Sequence, residues 1–135
     1  MKINQDIEEI LKNYKRIAVV GVSNKPERDS HDIAKFMISK NYRVYPVNPN
    51  YQKVFDIPCY KDLTEIPEPV DLVDIFRKSE FVEPIVDEAI EMGAKAIWMQ
   101  LGVINHKAAE KALRAGIKVV MDRCWKIEYK AHFGH

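Results

Sequence analysis

The 135-residue chain fits one ordinary domain and is too short for two, and its 47% hydrophobic residues suffice for a core. Twenty-one basic against 20 acidic residues leave a net charge of +1 and no global attraction to nucleic acid. Cys59 and Cys124 are far apart and lack CxxC spacing, which argues against a disulfide framework or a zinc site.

Ile7, Ile10, Leu11 and Tyr14 are spaced for a short N-terminal helix, with no signal-peptide core around them. Ile17 to Val20 is apolar on both faces and predicts a central parallel strand ending at Gly21. A polar loop from Val22 to Asp29 follows. Ser30 is placed as the cap of a helix carrying Ile33, Ala34, Met37 and Ile38. Arg43 to Val47 predicts a second strand, closed by the turn Asn48-Pro49-Asn50. Tyr51 to Pro69 reads as one short edge strand and a connecting turn. Val70 to Phe76 predicts a third clear strand.

Pro84 suits the first turn of the next helix, and Gly93 suits its end. Ala94 to Met99 predicts a strand, Asn105 a helix cap, and Gly116 the close of that helix. Ile117 to Met121 is the last strand, and Trp125 to Phe133 a terminal helix. Strands alternating with helices mean a doubly wound parallel sheet, Rossmann-like, in a single three-layer α/β/α domain over residues 1–135. No apolar run approaches the roughly 20 residues of a membrane span. A soluble cytoplasmic protein is the expectation, with no membrane or nucleic-acid partner.

Such a sheet binds ligands beyond the carboxyl ends of its strands. Those ends carry Gly21-Val22-Ser23, Val47-Asn48-Pro49, Phe76-Arg77-Lys78, Gln100-Leu101-Gly102 and Asp122-Arg123-Cys124. At the first, Gly21 permits a sharp turn and close approach of a phosphate, and Ser23 adds a hydroxyl. Lys25 and Arg28 add positive charge, and the helix starting near Ser30 turns its free N–H groups to the same space. These residues make a diphosphate cradle. The dinucleotide fingerprint G-x-G-x-x-G is absent, since Ser23 and Pro26 replace its later glycines. Asn48 stands where an NAD site has Asp or Glu, and there is no P-loop sequence.

Gly21-Val22-Ser23, Pro26, Arg28-Asp29-Ser30 and Tyr45-Pro46-Val47-Asn48-Pro49 resemble the small stand-alone CoA-binding proteins. So do Val73 to Arg77, Gly93-Ala94-Lys95, Trp98 to Gly102 and Asp122-Arg123-Cys124, in the same order. This family is related to the CoA-binding domain of the succinyl-CoA synthetase α subunit, and the similarity runs from Tyr14 to Tyr129. The resemblance implies coenzyme A as cofactor. It implies that Gly21, Val22 and Ser23 hold the diphosphate, with Arg28 and Ser30 near the nucleotide-end phosphates. It puts Pro46, Val47 and Asn48 at the adenine and ribose. Ile75, Phe76 and Arg77 would flank the adenine and the start of the pantetheine arm, with Gln100, Leu101 and Gly102 along that arm.

The resemblance implies binding and no ligase activity, because the synthetase's second domain with its phosphorylated histidine has no counterpart here. His31 and His106 sit in first helical turns, and His132 and His135 have no evident partners. Cys124 reads as a buried structural cysteine, the alternative being a mixed disulfide with the CoA thiol. Asp71 and Asp74 are three apart on one strand and face opposite sides. Asp122 and Arg123 suggest a local ion pair, and Trp98 is a core residue. The expected function is a non-catalytic carrier, sensor or regulator binding CoA or an acyl-CoA. An NAD(P)-dependent oxidoreductase and an interaction protein without ligand are the alternatives. The apolar terminal helix allows two copies to pair as a homodimer.

Overall fold

A computed structural model describes residues 2–135. The chain runs through α1 (Ile7–Asn13), β1 (Arg16–Val20), α2 (Asp29–Ser39), β2 (Arg43–Val47), β3 (Lys53–Val54), β4 (Ile57–Pro58) and β5 (Leu72–Ile75). It continues through α3 (Val82–Met92), β6 (Ala96–Met99), α4 (His106–Arg114), β7 (Lys118–Val120) and α5 (Trp125–Phe133). The five long strands form one parallel sheet in the order β2-β1-β5-β6-β7.

The continuous apolar strands are explained by what covers them. Ala18, Val20, Val73, Ile75, Ile97 and Met99 point to one face, against Val82, Val86 and Ala89 of α3 and the alanines of α4. The alternate residues Ile17, Val19, Leu72, Trp98 and Val120 point to the other, against α1, α2 and α5. With both faces buried, a strand has no reason to alternate polar and apolar residues. On the second face Trp125 and Tyr129 stack 5.3 Å apart, and Phe36 and Tyr42 meet them edge-on. Burial pushes the Tyr42 hydroxyl up to about 12, and it donates to the Leu11 carbonyl.

After β1 the chain moves outward to β2, then returns across β1 to lay down β5. The carboxyl ends of β1 and β5 are therefore where the winding direction reverses, the switch point of a doubly wound sheet. The predicted helices and the five predicted strands of the main sheet form, with the predicted terminal helix matching α5. Gly93 closes α3 with φ 80°, and Asn105 Oδ1 accepts from Ala108 N–H at 2.9 Å.

Two expectations change. Ser30 is not the cap of α2: Arg28 takes that position and makes no side-chain cap bond, while Ser30 lies inside the first turn. Residues 51–69 do not hold a single edge strand. β3 and β4 pair antiparallel with each other, joined by Phe55 and Asp56 at φ 58° and 61°. Two successive positive φ values make the tight reversal that Asn-Gly usually signals. Phe-Asp hides it. The Phe55 ring rests on His31, with centroids 4.5 Å apart. Beyond the hairpin, Tyr60 bridges Val47 and supplies the edge contact of β2.

Candidate functional site

Beyond the switch point lies a cleft in two parts. The polar part, about 510 Å³, is lined by Gly21, Ser23, Lys25, Glu27, Arg28, Asp29, Ser30, Tyr51 and Phe76. Its shape comes from bonds inside one loop. Ser23 N–H donates to Ser30 Oγ at 2.9 Å, and Lys25 N–H donates to Ser23 Oγ at 3.0 Å. Both hydroxyl oxygens thus spend an acceptor site within the loop, and each retains an O–H donor to offer outward. The N–H groups of Asn24, Asp29 and Ser30 enter no hydrogen bond among the described residues. Two of these begin α2, where the helix dipole favours an anion.

Gly21 is needed for a different reason from the one its sequence position suggests. Its φ is 88°, and a Cβ there would lie 2.6 Å from the Phe76 carbonyl oxygen and 3.0 Å from Arg77 Cδ. The close approach is by the end of β5, not by a ligand. Its N–H is also occupied, donating to Val47 O at 2.8 Å. Of the three residues expected at the diphosphate, Gly21 and Ser23 have their N–H groups engaged within the protein, while the Val22 N–H enters no hydrogen bond among the described residues.

The second part of the cleft, about 480 Å³, is bordered by Ile33, Phe76, Leu101, Val103, Cys124 and Ile127, with Gln100 also in its wall. Asp29, Asp32, Arg77, Lys78 and Lys126 stand at its rim. Leu101 is 65% exposed and Ile127 58%, so two large apolar side chains face open space here. Asp29 and Phe76 border both parts, so the two adjoin. The ion pairs formed among the described residues include Lys126–Asp32 at 2.9 Å but none with Lys25, Arg28, Arg77 or Lys78. Those four cations are available to an anion.

Ties between loops hold the apolar part. Gly102 N–H donates to Asp122 Oδ1 at 2.7 Å, joining the segments after β6 and β7. Ile104 N–H donates to Ser79 Oγ at 2.9 Å, joining those after β5 and β6. The expected Asp122–Arg123 ion pair is thereby replaced: the Arg123 guanidinium donates to the Asp122 backbone carbonyl at 2.8 Å. Trp98 is core as expected, its Nε1 donating to Arg123 O at 2.9 Å. Cys124 is half-buried and borders the cleft, so its reading as a buried structural cysteine is corrected.

Of the residues singled out in the sequence, Gly21, Ser23, Lys25, Arg28, Ser30, Phe76, Arg77, Gln100 and Leu101 line the cleft. Val22, Pro46, Val47 and Ile75 are buried in the core and line neither part of it. Asn48 is turned into the protein: its Nδ2 donates to Val22 O at 2.9 Å and its Oδ1 accepts from Asn50 N–H at 2.9 Å. Gly102 is exposed, with its N–H held by Asp122. His132 does have neighbours, Glu8 at 3.8 Å and Glu128 at 4.0 Å, and His135 meets Lys40 at 3.1 Å.

Sequence reading missed Ile33, Tyr51, Val103 and Ile127 as cleft residues. Ile33 and Ile127 sit on helices, where an apolar residue signals core before it signals a ligand wall. It also missed the pairing of Asp74. This carboxyl is 0% exposed, and burial pushes it from 3.8 up to about 8, against the pull of Gln100 and the Ile75 backbone. Gln100 Nε2 donates to both its oxygens, at 2.9 and 3.1 Å.

A five-stranded parallel sheet with helices on both faces and a cleft at its switch point defines a doubly wound, Rossmann-like α/β domain. The chain belongs to the CoA binding domain family, whose sequence model matches residues 15–130. It is similar to the uncharacterized protein YneT of Bacillus subtilis, at 38% identity over 124 residues and 92% of each chain. A solved structure of a hypothetical protein from Pyrococcus horikoshii OT3 superposes with a TM-score of 0.91 at 42% identity, covering 94% of this chain and 89% of that one. The α subunit of acetate–CoA ligase (ADP-forming) I from Pyrococcus furiosus is 33% identical over 137 aligned residues, 90% of this chain. The present chain spans only 30% of that subunit's length.

Proposed function

We propose that the cleft binds coenzyme A or an acyl-CoA, and that the protein acts as a non-catalytic carrier, sensor or regulatory module. One observation carries this reading: a polar half with free hydroxyl protons and unpaired cations adjoins an apolar half. Coenzyme A has that polarity, a phosphorylated nucleotide followed by an uncharged pantetheine arm, and its terminal thiol is what carries acyl groups. Ser23, Ser30, Lys25 and Arg28 would hold phosphates. Arg77 would sit at the junction, and Ile33, Leu101, Val103 and Ile127 would cover the arm. Both cavity volumes lie in the range of small-molecule sites. The ligase relative named above supports the same ligand class.

The binding role is favoured over catalysis by the placement of the histidines. His106, His132 and His135 lie away from the cleft, and His31 is engaged with Phe55. NAD is disfavoured by Asn48, which points inward at the end of β2 and offers no carboxylate to a ribose. No helix among the described residues is long and apolar enough to cross a membrane, and we place the protein in the cytoplasm, in line with its two free cysteines. Calorimetric titration with CoA, dephospho-CoA and NAD tests the proposal. CoA should bind with micromolar or better affinity and NAD should not; a preference for NAD overturns it.

A further inference from the structure

Asp74 has no part in the scheme above, yet it is fully buried directly behind a cleft residue. It is the third residue of β5, flanked at its register by Val19 of β1 and Trp98 of β6. Its side-chain partner is Gln100, the first residue after β6, which is 4% exposed and part of the cleft wall. The backbone of Gln100 is fixed as well: its N–H donates to Ile75 O at 3.4 Å and its carbonyl accepts from Val103 N–H at 2.8 Å.

A glutamine amide offers a donor end and an acceptor end of nearly the same shape. Packing alone does not choose between them; the hydrogen-bond partner does. Here both carboxyl oxygens of Asp74 face Nε2, at 2.9 and 3.1 Å, so the donor end is turned inward. The Oε1 end enters no hydrogen bond among the described residues.

We propose that Asp74, as the carboxylate, is a positioning residue that locks the Gln100 amide with Oε1 toward the cleft, so that the apolar half selects a ligand bringing an N–H donor to this point. This rests on the coenzyme A reading, and within it the donor is one of the two secondary amides of the pantetheine arm. An oriented acceptor set in an apolar wall distinguishes an amide-containing arm from an alkyl or ester chain of the same length.

The test compares CoA with two analogues in which one or the other arm amide is replaced by an ester, and with adenosine 3′,5′-bisphosphate, which has no arm. At about pH 9, with Asp74 ionised, wild-type protein should bind one ester analogue about tenfold more weakly than CoA, the scale of one hydrogen bond. Gln100→Leu should lose that discrimination and leave bisphosphate affinity unchanged. Asp74→Leu replaces a buried carboxyl with an apolar side chain of similar bulk. It should keep or raise stability while losing the discrimination, a separation that a purely structural role would not give. Asp74→Asn, whose amide can meet Gln100 with either its donor or its acceptor end, should weaken the discrimination while keeping CoA binding, and covers the case in which the leucine variant fails to fold. Equal affinity of wild type for CoA and both esters, or unaltered discrimination in Gln100→Leu, overturns the proposal. Absence of CoA binding by wild type would instead overturn the coenzyme A reading itself, and this inference with it.

Discussion

The two halves of the cleft are built in different ways. The polar half is nearly all one loop: Ser23, Lys25, Arg28 and Ser30 lie within eight positions and shape each other through hydrogen bonds of short sequence separation. The apolar half has no such unit. Its walls come from α2, from the segments after β5, β6 and β7, and from α5, and they meet only when the sheet is complete. The lesson is that charge and phosphate recognition can be written locally, whereas a wall for an uncharged chain has to be assembled by the fold.

Several changes would break or sharpen that contrast. Gly21→Ala strikes where the halves join, forcing a Cβ against the Phe76 carbonyl at a positive φ. It should destabilise by about 3–4 kcal/mol in urea unfolding and impair both halves together. Arg28→Ala touches the polar half alone. CoA affinity should fall by about 1.5–3 kcal/mol, the scale of a charged hydrogen bond, with adenosine 3′,5′-bisphosphate losing as much; an unchanged dissociation constant removes Arg28 from the site.

Asp74, beneath the apolar half, makes stability depend on pH. Because burial raises its carboxyl from 3.8 to about 8, the folded chain holds this proton more tightly than the unfolded chain does. Its contribution is therefore most favourable at low pH and declines as pH rises from about 4 to about 8. Asp74→Asn should flatten that decline, by roughly 2–3 kcal/mol between pH 5 and 7 in unfolding free energy. An equal slope in both proteins would contradict the burial argument. Ile127→Ser, at a side chain 58% exposed, should leave stability nearly unchanged. It should weaken CoA by about 1 kcal/mol and spare the bisphosphate, which is the mirror image of Arg28→Ala.

The same contrast explains what could be read in the sequence. Strand and helix alternation gave the doubly wound sheet, because the central strands are apolar apart from Arg16 and Asp74 and because α3 ends legibly at Gly93 and α4 begins legibly at Asn105. The polar half was legible because its residues are neighbours. Val22 and Val47 were placed at the site by their position at strand ends, and Pro46 and Ile75 by family resemblance, neither of which says whether a side chain faces cleft or core. Ile127 and Val103 carried no signal, since an apolar residue near a strand end or on a helix looks like core. The inward-facing Asp74 could be placed on a face by strand periodicity, but its pairing with Gln100 depends on the register of β5 against β6. The β3–β4 hairpin was hidden by a turn sequence, Phe55-Asp56, that rarely adopts two positive φ values.

The central claim is that one ligand spans both halves. Backbone amide chemical shifts recorded during titration with CoA test it most directly. Residues 21–30, 100–103 and 124–127 should shift together with a single dissociation constant, and adenosine 3′,5′-bisphosphate should move only the first group. Shifts confined to one half at saturating CoA, or centred on the separate apolar cavity between Ile38, Tyr45 and Ile57, would contradict it.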